Sequence, residues 1–222
     1  DSETKNHDIV LHLAALIGIP YSYVAPLSYV RTNVQGTVNV LESVRKNNIE
    51  LMINTSTSET YGTAIYKPID EKHPLQGQSP YSATKIAADK LSESYHNSFD
   101  TPVITIRPFN TFGPRQSSRA VIPTIIAQLL TNQDLKLGEL KATRDFTYVG
   151  DTVKGYIKAI ESKKLYGEVI NLGYGKTISI FDTAKLIMKI LDKEQEIFVD
   201  DKRVRPENSE VFELVSDNSK AK

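Results

Sequence analysis

Tyr81 and Lys85 stand four residues apart in Pro80-Tyr81-Ser82-Ala83-Thr84-Lys85. On a helix that spacing brings a phenol and an ammonium to one face. A free tyrosine titrates at about 10, too high for a base at neutral pH, and a neighbouring cation favours its phenolate. The pair is therefore a candidate proton acceptor for a substrate hydroxyl, although the same spacing also suits an ordinary surface helix. A second group of candidates lies in Asn54-Thr55-Ser56-Thr57-Ser58-Glu59-Thr60-Tyr61-Gly62. There Thr57 can donate to a substrate oxygen, Ser58 can relay a proton and Glu59 can act as a base toward carbon; hydroxyl-rich runs also simply make turns. Arg115, Arg144 and Arg205 occupy polar, turn-like contexts. A guanidinium offers the planar, two-pronged donor set that phosphate oxygens accept, and equally suits an exposed surface.

The elements that must position these groups follow from periodicity. Short apolar runs alternate with longer amphipathic ones, the pattern of an α/β chain with a largely parallel sheet. Strands are predicted at residues 9–14, 51–53, 102–106 and 169–172, with Arg107-Pro108 ending the third, and short extended pieces at 135–137 and 196–199. Helices are predicted at 26–47, 79–99, 120–130, 151–161 and 179–191; in the first, Leu27, Val30, Val34, Val38 and Leu41 define one face. Residues 216–222 read as a helix start. In an open α/β sheet, loops at the carboxyl ends of strands line the ligand crevice, which is where the 54–62 loop falls.

Composition removes other classes. The 222 residues carry 27 Lys plus Arg against 27 Asp plus Glu, so no global field favours nucleic acid or a membrane surface. There are no cysteines, hence no disulfide, thiol nucleophile or thiolate zinc site, and the four histidines lack ligand spacing, so no metal is expected. The apolar stretch 9–27 is broken by His12, Pro20 and Pro26 and fails as a membrane span. With no leader pattern at the start, a cytoplasmic setting is expected. None of the 11 glycines forms the phosphate-binding set of a dinucleotide fold. Either the fold is another one, or its N-terminal βαβ units lie outside these residues; a protein of these residues alone is expected to be inactive.

Several motifs nevertheless occur in a recognisable order: His12-Leu13-Ala14-Ala15, Asn33-Val34-Gln35-Gly36-Thr37, Thr57-Ser58-Glu59, Tyr81 to Lys85, Arg107-Pro108-Phe109-Asn110-Thr111-Phe112-Gly113-Pro114-Arg115, Arg144-Asp145-Phe146-Thr147-Tyr148-Val149 and Arg205-Pro206-Glu207. From Ile9 onward the chain resembles the extended short-chain dehydrogenase/reductases that act on nucleotide sugars. The resemblance implies a Rossmann-like, doubly wound parallel sheet with a small C-terminal substrate lobe. It divides the chain into a partial dinucleotide-binding part, 1–115, and a nucleotide-sugar lobe, 116–222, interleaved with the last sheet strands at about 150–175.

It also implies roles. Leu13, Ala14, Ala15, Asn33, Thr55, Ser56, Pro108 and Phe109 would meet NAD, with NADP also open because the distinguishing acidic residue is not seen. Tyr81 and Lys85 would be the catalytic pair and also touch the cofactor, while Asn110, Arg115, Arg144 and Arg205 would bind the nucleotide sugar. Glu59 beside Thr57 resembles the 4,6-dehydratases, in which a base takes the C5 proton after C4 is oxidised; Thr-Ser-Glu is also similar to the guanosine-diphosphomannose dehydratases and the UDP-glucuronate decarboxylases. The thymidine-diphosphoglucose dehydratases have aspartate in place of Ser58, which leaves the group that protonates the C6 oxygen open between Ser58 and Glu59. Residues 70–82, 118–126 and 216–222 look most like the UDP-N-acetylglucosamine 4,6-dehydratases of the legionaminic-acid route, with His73 a further candidate for substrate contact. A UDP-glucuronate decarboxylase or a 4-epimerase of the same family, and a non-catalytic binder of nucleotide sugars, are the alternatives. The resemblance also implies a homodimer in which the helices at 26–47 and 79–99 form a four-helix bundle; burial within one chain gives the same pattern.

Overall fold

The computed structural model describes residues 3–204 and 206–222. Four parallel strands form the main sheet: β1 (Ile9–His12), β2 (Leu51–Thr55) and β3 (Val103–Pro108), then β8 (Val169–Leu172), in the order β1-β2-β3-β8. Leu51 pairs with Ile9, Ile53 with Ile104, and Ile106 with Ile170. Helices cover both faces, as all-parallel sheets require. On one face lie α3 (Gly36–Lys46) and α4 (Pro80–Phe99), closing Leu41, Val44 and Leu91 over Met52 and Val103. On the other, α6 (Val149–Glu161) closes Ala159 and Tyr156 over Leu51, Ile53, Ile104, Ile106 and Ile170. The fold is thus the expected Rossmann-like α/β layering.

The helical run expected at 26–47 is present but not uniform. After α1 (Ile19–Val24), which the periodicity does not predict, come α2 (Pro26–Tyr29), a π-helical stretch at Val30–Gln35 and then α3. One wider turn re-aims Asn33, which is buried in it. α4 begins at Pro80 because Ser79 accepts from the Ser82 amide while Ser82 Oγ accepts from the Ser79 amide, a reciprocal cap ahead of a proline in the first turn.

The remaining elements build the lobe: β4 (Asn110–Phe112), α5 (Val121–Leu130), β5 (Leu135–Leu137), β6 (Thr143–Arg144), β7 (Phe146–Tyr148), β9 (Ile178–Ser179), α7 (Ile180–Leu191), β10 (Ile197–Val199) and β11 (Glu213–Leu214). They pair as β5 with β10, β4 with β7, and β11-β6-β9. Ile125 and Leu129 of α5 meet Ala184 and Met188 of α7 over Leu135 and Leu137. Residues 216–222 form only a short 3₁₀ turn, Ser219–Ala221, rather than an α-helix. Among the described residues no helix is long and apolar enough to cross a membrane.

Candidate active site

Because the main-sheet strands are parallel, the segments after β1, β2, β3 and β8 all leave at one edge of the sheet, and the candidate residues gather there. The period-two alternation of β2 decides which helix each one meets. Met52, Asn54 and Ser56 face α4, whereas Leu51, Ile53 and Thr55 face α6. Past the strand, Thr57 caps a 3₁₀ turn at Ser58–Thr60 by accepting from the Glu59 amide (3.2 Å). Gly62 then turns the chain with φ of 62°, where a Cβ would stand 2.8 Å from that of Gln76. Gln76 stitches the turn from below, its amide donating to the Thr60 carbonyl (2.8 Å).

Tyr81 and Lys85 share a face of α4, as their spacing requires, and both are buried. The Tyr81 ring packs edge-on against Tyr29 and its hydroxyl meets Thr57. The Lys85 ammonium donates to the Thr55 carbonyl. The spacing led us to expect the ammonium to lower the phenol; instead burial pushes the Tyr81 hydroxyl up, with Glu59, Asp89 and Tyr29 adding to it and only Thr57 opposing. The reason is local: the ammonium is turned to the strand-end carbonyl of Thr55. Burial also pushes Lys85 down, against the pull of Asp89.

Of the residues expected at the cofactor, Leu13 and Ala14 are exposed and Ala15 is half-buried. Asn33 holds the segment that follows them: its Oδ1 accepts from the Leu16 amide (2.8 Å), and its Nδ2 donates to the Leu16 carbonyl (3.0 Å) and to Thr84 Oγ1 (3.1 Å). It thereby ties the β1 loop to the turn of α4 between Tyr81 and Lys85. Thr55 Oγ1 accepts from the Tyr156 hydroxyl (2.9 Å) and Ser56 Oγ donates to Asp89 Oδ2 (2.8 Å). Pro108 is half-buried, but the Phe109 ring is closed into a core with Tyr61, Ile69, Val211 and Leu214.

The substrate candidates divide. Asn110 Oδ1 is buried with no partner, and Arg115 is exposed in the left-handed region with φ of 68°. Arg144 is instead buried, donating to Glu210 Oε1 (3.1 Å) and to the Thr143 carbonyl (2.9 Å), so its guanidinium is engaged inside the lobe. Arg205 lies outside the described residues. His73 is buried, with Nε2 accepting from the Ile65 amide and Nδ1 donating to the Pro74 carbonyl, which ties its ring into the 61–78 loop. Ser58 is buried and Glu59 half-buried.

Sequence reasoning missed the polar seam beneath this edge. Asp89 accepts from Ser56, from Arg107 Nε (3.0 Å) and from Asn54 Nδ2 (3.2 Å). Arg107 also donates to the Tyr61 hydroxyl (3.0 Å), which donates to Asn171 Oδ1 (2.7 Å). The available signal was Asp89 itself, one helical turn beyond Lys85 on the same face. In the lobe, Asp145 was likewise overlooked: its fully buried carboxylate accepts from the Tyr174, Gly175 and Ser216 amides and from Ser216 Oγ. Among the described residues no cluster of three or more His, Asp or Glu side chains is arranged to hold a metal.

Comparison with known proteins finds relatives over nearly the whole chain. The human dTDP-D-glucose 4,6-dehydratase is 32% identical over 221 residues, covering 97% of this chain but 63% of the relative. The chain thus spans less than two thirds of that protein. The UDP-N-acetylglucosamine 4-epimerase of Methanobrevibacter ruminantium M1, solved with UDP-N-acetylmuramic acid, superposes with a TM-score of 0.91 at 31% identity, over 99% of this chain and 70% of that one. The UDP-glucuronic acid 4-epimerase of Bacillus cereus, solved with UDP-glucuronic acid and NAD, gives 0.91 at 31% over 99% and 69%. A family model described as GDP-mannose 4,6 dehydratase matches residues 3–222. Matched over all but its first two residues, the chain belongs to that family.

Proposed function

We propose that these residues carry the catalytic edge of an NAD-dependent nucleotide-sugar 4,6-dehydratase acting on UDP-N-acetylglucosamine. The observation that carries this reading is Glu59, held in the capped turn beside Thr57 and close enough to raise the Tyr81 phenol. Tyr81 accepts the proton of the C4 hydroxyl, and Thr57, already on the phenol, steadies the C4 oxygen. Glu59 takes the proton from C5, made acidic by a C4 carbonyl, and Ser58 or Glu59 protonates the departing C6 oxygen. The residues present suit NAD: the segment Leu13–Ala15, exposed at Leu13 and Ala14, leaves an open ledge at the strand ends where two alanines permit close approach. When bound, that cofactor supplies the hydride acceptor and donor of the cycle. Lys85, Asn33, Thr55, Ser56, Pro108 and the Phe109 backbone frame its place, and NADP remains an alternative partner for the same ledge.

Arg115 is the proposed diphosphate clamp. Arg144 would have to exchange Glu210 for a phosphate to join it. A homodimer through the α2–α3 run and α4 is proposed in a cytoplasmic setting, supported by Leu27 and Val30, which lie exposed on that run.

A 4-epimerase is the second reading, favoured by the two solved epimerases at 31% identity. It needs Tyr81 and Lys85 but no base toward C5. Incubating the full-length protein with UDP-N-acetylglucosamine and weighing the product separates them: loss of one water marks the dehydratase, unchanged mass with inverted C4 the epimerase. Carbon dioxide from UDP-glucuronate would mark a decarboxylase, and binding without turnover a non-catalytic relative. Glu59→Gln is expected to retain partial C4 oxidation and lose dehydration; full activity in that variant rejects the assignment.

A further inference from the structure

The polar seam under the active edge has a feature that its burial alone does not require. Asp89 sits four residues beyond Lys85 and eight beyond Tyr81, on the face of α4 that both occupy. Its two oxygens accept from Asn54 and Ser56, the residues on either side of Thr55, and Thr55 is the residue whose carbonyl holds Lys85. Three consecutive residues at the end of β2 are therefore gripped by two side chains of one helix. Thr57 comes next. Burial pushes the Asp89 carboxyl up, while three donors, one of them the Arg107 cation, and the Lys85 charge favour its ionised form. Arg107 of β3 supplies the matching charge at 3.0 Å and is itself braced by Tyr61, over whose ring it lies at 4.9 Å.

We propose that Asp89 is a positioning residue of this site: with Ser56, Asn54 and Arg107 it fixes the height of the Thr57–Glu59 turn and the seat of the Lys85 ammonium relative to Tyr81. This deepens the dehydratase reading, on which its catalytic part rests; its electrostatic part does not depend on turnover. The groups facing Lys85 are Asp89 of its own helix and, from β1, the buried His12, whose imidazole Lys85 pushes down. Arg107 faces Asp89 from β3. Only Asp89 among these favours the charged amine.

The test uses full-length protein with lysine labelled at ¹³Cε, the Lys85 signal being assigned by its loss in Lys85→Arg. Asp89→Asn is expected to move the Lys85 titration down by about one pH unit, and an unmoved titration overturns the electrostatic part. Ser56→Ala removes one grip without unpairing Arg107, so it stays informative should Asp89→Asn fold poorly. It is expected to lower turnover about three- to tenfold at unchanged KM, with the unfolding midpoint within a few degrees of the parent. Wild-type turnover in Ser56→Ala, or a loss explained by unfolded protein, overturns the positioning part. An inactive parent that still shows the Lys85 shift counts against the dehydratase reading and supports the placement of Asp89.

Discussion

On the α4 side of the active edge, Ser56, Asp89, Arg107, Tyr61 and Asn171 form one unbroken run of hydrogen bonds through β2, β3 and β8. Buried acceptors without partners occur on both sides, Asn54 Oδ1 beside this run and, just past β3 on the lobe side, Asn110 Oδ1 and Gln116 Oε1. The two sides differ in their arginines: Arg107 is buried against a carboxylate, and Arg115 is exposed on a left-handed turn. A wall that must hold reacting groups gains from having its dipoles fixed beforehand. A wall that receives an anionic ligand instead gains from a guanidinium left open to it. The seam is therefore the candidate for chemistry and the rim for choice of substrate.

The contrast is broken most sharply at Arg107. Arg107→Met leaves Asp89 buried with no cation and is expected to lower unfolding free energy by about 3–5 kcal/mol, because an uncompensated interior charge costs more than the pair gains. Adding Asp89→Leu should restore most of that loss. Urea unfolding of the three proteins measures it. If the single variant is as stable as the parent, the seam is not the rigid wall described here.

That pair also marks where the sequence could be read and where it could not. The strands at 51–53, which the structure extends to Thr55, and at 169–172, and the helix start at Ser79-Pro80, follow from local patterns, since apolar runs and a first-turn proline act within a few residues. Arg107 did not: a charge after an apolar run reads as the end of a strand, yet β3 continues through Pro108 because Asp89, 18 residues earlier, pays for the burial. Arg144 misleads in the opposite sense. Its polar neighbours suggest an open anion site, but Glu210, 66 residues away, closes on it. The two-residue strands β6, β9 and β11 carry too few residues for any period to register. Tyr81, Lys85 and Thr57 were legible as a group because helix spacing and strand-end placement are local rules. The direction in which Lys85 turns was not, since it depends on an acceptor from another element.

A smaller effect tests the rim. Arg115→Ala is expected to raise KM for a nucleotide sugar about tenfold, the equivalent of one charge-assisted hydrogen bond, while turnover stays within about twofold. Steady-state kinetics on full-length protein decide it. A fall in turnover at constant KM would move Arg115 from the binding wall to the chemical one and erase the division between them.

The weakest effect belongs to His12, at the end of β1 beside the seam. Its Nε2 donates to Thr37 Oγ1 (3.1 Å), whose own proton goes to the Asn33 carbonyl (2.6 Å). Burial first, and Lys85 second, push the imidazole below its ordinary value of 6.5. The folded chain thus prefers the neutral ring. Stability from this residue is complete above about pH 6.5 and declines as the pH falls from there through the lower folded value, because the unfolded chain takes up the proton first. His12→Asn keeps a donor for Thr37 and removes the titration, so its unfolding midpoint should depend less steeply on pH between about 6.5 and 5. An identical slope in parent and variant would mean that the imidazole binds its proton equally well in the folded and unfolded chain, so that neither burial nor Lys85 disfavours its charge.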